Sequence, residues 1–209
     1  MRLYDHPASG NCLKARILMR QLEIPYESVP VDLFRRETRT PEHMARNPDG
    51  RVPVLELDSG QMIPESGAIL LYLAEGTPLL PDDRLARAAV HQWMFFEQNQ
   101  IEASIAVARF LLLTGRGDRY RTLVDSLVAR GHGSLSSLAR GLADERPFLG
   151  GEQYTVADIA LYAYVHCAHE AGVDAREHGT IGASLERVEA TPRFVNDLAP
   201  FPEHAMSAS

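Results

Sequence analysis

The residue types best suited to binding an anion fall in two places, Ser9-Gly10-Asn11-Cys12 and the longer stretch Asn47–Ser66, NPDGRVPVLELDSGQMIPES. Pro53 holds Val52 extended and lacks an N–H of its own, so the peptide groups of Val52 are left for a partner outside the strand that follows. Glu65 and Ser66 open an amphipathic helix, whose N-terminus offers unpaired N–H groups and the positive end of a dipole. Together these features describe a site for a short, extended, anionic peptide. Ser9 follows the first strand and stands at the start of the first helix, where the same dipole favours an anion beside its hydroxyl. Its residue type fits a plain helix cap equally well, as Glu65-Ser66 fits a plain helix start. It is the neighbouring Val52-Pro53 that favours binding over capping at the second place.

The elements that must carry these residues follow from the pattern. Residues 1–5 read as a strand, and Leu13, Ile17 and Leu22 have helical spacing up to Pro25. Glu27–Leu33 reads as a second strand that Pro30 confines to an edge. Five arginines, Arg35, Arg36, Arg39, Arg46 and Arg51, then fall within seventeen residues, with a short helix over Pro41–Ala45. Val54–Leu57 and a strand ending at Pro64 form a hairpin about Asp58-Ser59-Gly60. A helix from Glu65 to about Ala74 follows. This order predicts a small α/β unit with a mixed four-stranded sheet over residues 1–77.

After Gly76-Thr77-Pro78 and Pro81-Asp82-Asp83 the pattern is helical only, over residues 84–209. One long helix is expected over Arg84–Leu113 and a second from Tyr120 to about Leu142, weakened by Gly131 and Gly133. Thr155-Val156-Ala157-Asp158 reads as a capping box opening a buried helix over Ile159–Ala171. The tail PFPEHAMSAS reads as loose.

Composition narrows the function classes. The chain has 209 residues, a net charge of −7, 45% apolar and 23% charged residues. Such a charge leaves no basic field for nucleic acid. Cys12 and Cys167 make no disulfide framework, which points to a reducing compartment. The N-terminus lacks a signal-peptide core and no run approaches the ~18 apolar residues of a membrane span. The expectation is a soluble, cytoplasmic protein without a membrane association. The histidines, His166 and His169 included, have no partners at metal spacing, so no metal is expected.

The ordered set Ser9-Gly-Asn11-Cys12, Asn47-Pro-x-Gly-Arg-Val-Pro53, Glu65-Ser66 and Thr155-Val-Ala-Asp158 resembles the cytosolic glutathione S-transferases, in particular theta-like bacterial members that use a serine. The resemblance covers Leu3 to about Leu198. It implies a thioredoxin-like N-terminal domain and an all-helical C-terminal one, a cis Val52-Pro53 bond, a homodimer, and glutathione as co-substrate. It further implies that Ser9, with Asn11 as a second donor, stabilises the glutathione thiolate for attack on a small hydrophobic electrophile, a detoxification chemistry. A free thiol with a pKa of about 8.5 is mostly protonated near neutrality, so a hydroxyl at a helix N-terminus has work to do.

The same resemblance assigns the rest of the site. Ser66 N–H and hydroxyl would meet the γ-glutamyl carboxylate, and Glu65 its ammonium. The Val52 peptide beside Pro53 would pair with the cysteinyl backbone, and Arg39 or Arg51 with the glycine carboxylate. Thr38 stands where some members carry a histidine. The second substrate is expected between the halves, with Phe95, Phe96, Arg109, Phe110 and Tyr120 as candidate walls, although aromatic residues at helical spacing are more often core. Trp93 is assigned to packing. Cys12, one turn into the helix, reads as a small buried hydrophobe before it reads as a nucleophile. Disulfide reduction or peroxidase chemistry by the same bound thiol, and a non-catalytic binding protein on the same fold, are the alternatives.

Overall fold

A computed structural model describes residues 1–142 and 146–207 of the chain. The chain divides into two compact units, Met1–Glu75 with a segment beginning at Pro192, and Gly76–Thr191.

The first unit is a four-stranded sheet in the order β2-β1-β3-β4 with three helices. Strands β1 (Arg2–Asp5) and β2 (Glu27–Pro30) run parallel, β3 (Val54–Glu56) is antiparallel to β1, and β4 (Met62–Pro64) is antiparallel to β3. Pro30 ends an edge strand, where its missing N–H costs no ladder bond. The strand stops at Pro30, short of the expected Leu33. Helix α1 (Gly10–Gln21) and α3 (Ser66–Ala74) pack on one another, and α2 (Pro41–Arg46) is capped by the Thr40 hydroxyl, which accepts from His43 N. Leu3, Leu13, Ile17, Leu55, Ile69 and Leu70 are fully buried and form the centre of this unit. Tyr4 belongs to its packing: the ring is buried, its hydroxyl donates to Glu56 Oε2 at 2.7 Å, and the Arg46 guanidinium lies 4.4 Å from the ring centroid.

The tail is a correction to the expectation of a loose end. Ala199 N donates to Pro7 O at 3.1 Å, and Asp197 Oδ1 accepts from Arg16 Nε at 2.7 Å. The Phe201 ring stacks 6.3 Å from His6 and meets Phe34 edge-on at 5.8 Å, and Glu203–Ser207 form a 3₁₀ turn. An aromatic ring with two rings to bury against loses more by staying in water than it gains in freedom. The last two residues of that tail lie outside the described residues.

The second unit is helical. The period over Arg84–Leu113 predicts one helix, and the chain there does stay helical, but with a change of winding: α4 (Arg84–Phe96), a π-wound stretch Glu97–Ala106, then α5 (Val107–Leu113). Within the π stretch the Ser104 hydroxyl donates back to the Gln100 carbonyl. Helix α6 (Arg121–Gly141) is unbroken, because Gly131 is a packing position: a Cβ there would lie 3.1 Å from Val173 and 3.2 Å from Ile105. Helix α7 (Val156–Val165) is buried along its whole length and shorter than expected, and α8 (Gly179–Glu189) follows. Trp93 is a packing residue at 9% exposure. Among the described residues no helix is long and apolar enough to cross a membrane.

The capping box forms as expected. Asp158, 1% exposed, accepts from Thr155 N at 2.9 Å, Thr155 Oγ1 at 3.1 Å and Leu149 N at 2.8 Å, so one carboxylate ties the helix start to the preceding loop. Burial pushes its pKa up to about 6, against the pull of those donors. Replacing Asp158 by Ala leaves buried donors unpaired and is expected to cost about 2–3 kcal/mol in urea denaturation. The raised pKa also sets a sign. Between about pH 4 and 6 the folded chain retains a proton that the unfolded chain has released, so this group's stabilisation is complete below that window and is lost as pH rises through it. The stability gap between wild type and Asp158→Asn is therefore expected to narrow by about 2 kcal/mol on going from pH 4 to pH 7.

Candidate active site

The sheet register gathers the candidate residues at one end of the first unit. Val54 pairs with Tyr4 on one side and Pro64 on the other, so the chain enters β3 from Val52-Pro53 at the end where β1 leaves toward Ser9 and β4 leaves toward Glu65-Ser66. Strand β2, parallel to β1, leaves toward Thr38 and Arg39 at that same end. The Val52-Pro53 bond is cis.

Ser9 caps α1. It is extended at φ −87° and ψ 121°, its hydroxyl accepts from Cys12 N at 3.4 Å, and its side of the helix start is half-buried. The loop that presents it is held from beneath by Arg16, 5% exposed, whose guanidinium donates to Asp5 Oδ1 at 2.7 Å and Pro7 O at 3.2 Å. Cys12 is fully buried, its sulfur accepts from His6 N at 3.4 Å, and burial pushes its thiol far above the ordinary range. A thiol in that state is a poor nucleophile.

Asn11 joins the two helix starts. Its Oδ1 accepts from Ser66 Oγ at 3.2 Å and from Lys14 Nζ at 2.8 Å. Two positive dipole ends, those of α1 and α3, thus meet across one side-chain amide. Ser66 is 4% exposed, and Glu65 before it is exposed with a left-handed φ of 71°, a conformation that side-chain-bearing residues rarely hold without surrounding constraint.

Val52 packs against the cluster of Tyr4, Val31 and Val54. The Arg51 carbonyl just before it is taken by two donors, the His43 ring at 3.0 Å and Asn47 Nδ2 at 3.2 Å, which settles how the Val52 peptide is presented. His43 is 2% exposed and meets Tyr4 edge-on. The Arg51 side chain is exposed. Arg39 is exposed too, with Nη1 donating to Asp49 O at 3.0 Å; Thr38 is buried beside it.

Of the candidate walls for a second substrate, Arg109 is withdrawn: it is 3% exposed and bonded to Glu170. Phe110 is half-buried under Arg116, 5.3 Å away, Tyr120 is 39% exposed with Arg119 over its ring, and Phe95 is 70% exposed. The residues that sequence reasoning passed over are Lys14, Arg16, His43 and Asn47 as a donor. Each is polar on an element whose pattern assigns polar positions to solvent, and no spacing signal marks the buried ones.

Residues 1–75 match the family model for the glutathione S-transferase N-terminal domain. A maleylacetoacetate isomerase of Rhizobium meliloti is 35% identical over 183 residues, covering 82% of this chain and 83% of that protein. A glutathione S-transferase crystal structure from Pseudomonas fluorescens superposes with a TM-score of 0.92 at 42% identity, covering 95% of this chain and 98% of that one. A glutathione transferase from Burkholderia graminis, crystallised with two glutathione molecules per subunit, is 30% identical with a TM-score of 0.82, covering 94% and 86%. The chain belongs to the glutathione S-transferase family, with the thioredoxin-like sheet and the helical region of that fold.

The turn that carries Arg51 depends on one glycine. Gly50 has a φ of +60°, and a Cβ there would lie 2.5 Å from Arg39 Nη1 and 2.8 Å from the Thr38 carbonyl oxygen. The arginine can swing away but the backbone oxygen cannot, so Gly50→Ala is expected to lower stability by about 1–3 kcal/mol, read by thermal or urea unfolding.

Proposed function

We propose that the chain is a glutathione transferase in which Ser9 holds the glutathione thiolate and Asn11 assists. The observation that carries this reading is the hydrogen bond between Ser66 and Asn11, which brings the starts of α1 and α3 together. A tripeptide laid from one helix start to the other meets the unlike groups it needs. The γ-glutamyl end lies at Glu65 and Ser66, the cysteinyl backbone at the Val52 peptide beside Pro53, and the glycine carboxylate at Arg39 or Arg51. The thiol then reaches the α1 start, where the Ser9 hydroxyl and the helix dipole lower its pKa, and where the amide of Asn11 is a second donor. The thiolate forms a carbon–sulfur bond with a small hydrophobic electrophile and the leaving group departs with the electron pair. Phe110 and Tyr120 are proposed to line the place of that second substrate. The protein is proposed to act as a cytoplasmic homodimer in detoxification, with a domain division at 1–77 and 84–209.

A second reading draws on the isomerase relative. There the thiolate adds to a conjugated double bond, the former double bond rotates, and the thiolate leaves again, so glutathione is regenerated. Cys12 takes no part in either, given its burial.

Replacing Ser9 by Ala is expected to lower kcat on a generic aryl-halide electrophile at least about tenfold, while glutathione affinity by calorimetry stays within about twofold. Unchanged turnover would remove Ser9 from the chemistry. Turnover of maleylacetoacetate to its trans isomer, without net consumption of glutathione, decides for the second reading.

A further inference from the structure

Two histidines meet where the tail returns to the first unit, and they stand in opposite situations. His6, just after β1, is 5% exposed, with the Phe201 ring of the tail stacked on it and Phe34 edge-on at 5.9 Å. Its Nδ1 lies 3.0 Å from the Val31 carbonyl oxygen, which only accepts, so Nδ1 carries the proton and the neutral ring keeps a lone pair on Nε2. That Nε2 is buried, and no described residue offers it a hydrogen bond. A second proton on the ring therefore sets an unpaired N–H of a cation beneath the tail. His204, on the tail itself, is exposed, and its Nε2 lies 2.8 Å from Asp32 Oδ2. A positive charge there is drawn to the carboxylate and holds the tail down.

The charged groups around His6 do not offset its burial. Asp5 on β1 and Asp32 after β2 pull toward a charged ring, but both are engaged elsewhere. Asp5 accepts from Arg16 Nη1 at 2.7 Å, and Asp32 from Phe34 N at 2.9 Å, Arg35 N at 3.2 Å and His204. On α1, Arg16 opposes a second positive charge, and the buried Cys12 thiol is neutral, its Sγ accepting from His6 N. On the tail, Asp197 is bonded to the same arginine and Glu203 is exposed. Burial, the largest influence, holds the His6 imidazole below its ordinary pKa of 6.5.

We propose that His6 makes the tail a proton-released strap: a proton gained on Nε2 drives Phe201 off the ring and lifts residues 199–204 from the loop that leads to Ser9. The main-chain bond from Ala199 N to Pro7 O, 3.1 Å long, breaks with it. Lifting opens a cavity of about 340 Å³ that Pro200 and Pro202 share with His6, Pro7, Ala8 and Val31. The lifted form has the higher His6 pKa and takes the proton first. Docking is therefore complete above about pH 7 and weakens as pH falls through 6.5 toward the docked pKa. The device needs no bound glutathione and stands apart from the reading above.

Amide hydrogen exchange on the full chain reads the strap at Ala199 N–H, as protection corrected for the intrinsic pH dependence of exchange. The wild type is expected to lose at least about threefold in protection between pH 7.5 and 5.5. His6→Asn keeps a donor for the Val31 carbonyl and does not titrate, so its protection is expected to change by less than about 1.5-fold. His204→Gln is expected to lose at least as much as the wild type. Constant wild-type protection overturns the proposal, as does a His6→Asn variant that retains the full loss. Abolition of the loss by His204→Gln assigns the response to the wrong ring and overturns it too. Should His6→Asn not fold, NMR titration of the His6 ring decides. By reciprocity Phe201→Ala is expected to raise the His6 pKa by at least about 0.5, toward 6.5. A His6 pKa that Phe201→Ala leaves in place overturns the proposal.

Discussion

The hydrogen bond from Ser66 Oγ to Asn11 Oδ1 joins two helix starts that are 55 residues apart in the chain, and the candidate site is built around it. Helix N-termini repel one another electrostatically, since each presents the positive end of its dipole and a set of unpaired N–H groups. Bringing two together makes sense where an anionic ligand will lie across them, and it requires an acceptor between them in the ligand's absence. The Asn11 carbonyl is that acceptor. Its demand for donors is met twice, by Ser66 and by Lys14. The sheet supplies the frame: four strand ends, with the loops they feed, deliver Ser9, Arg39, Val52 and Ser66 to one side.

A second constraint operates at the level of the loops. Neither Ser9 nor Val52 lies within a regular element, so each depends on side chains below it. Arg16 reaches Asp5, Pro7 and Asp197 from inside α1, and so holds both the loop ahead of Ser9 and the returning tail. His43 and Asn47 do the equivalent for the peptide before Val52 by sharing the Arg51 carbonyl. Among the described residues, none of the buried side-chain polar atoms of Arg16, His43 and Asn47 is left without a partner, and buried polar groups that are paired rigidify a site rather than weaken it. In the helical unit Asp158 plays that part with three donors on one carboxylate.

Much of this was legible before folding. Prolines, glycines and apolar periods marked the strands, the hairpin and nearly every helix, because local sterics and the need to bury one face act within a few residues. The edge position of Pro30 and the capping box at Thr155–Asp158 followed from the same short-range rules. Illegible were the features that pair distant polar groups. Nothing in the spacing of Lys14, Asn11 and Ser66 announces that an ammonium, an amide and a hydroxyl share one oxygen. The tail was misjudged for the same reason: Phe201 is one aromatic residue among prolines, and its burial depends on His6 and Phe34 meeting it from the other end of the chain. Arg109 was misjudged in the opposite sense, since its burial and its bond to Glu170 depend on a residue far along the chain.

The amino-acid sequence by itself determined which segments become strands and helices, where a peptide group is left free beside Pro53, and which residue types could meet an anion. Those properties arise from backbone geometry and from side chains within a turn or a strand of one another. Tertiary structure alone decided which of these residues meet and which are buried. Which polar groups meet depends on packing between elements far apart in the chain, and at Asn11 one donor, Lys14, comes from its own helix and the other, Ser66, from another.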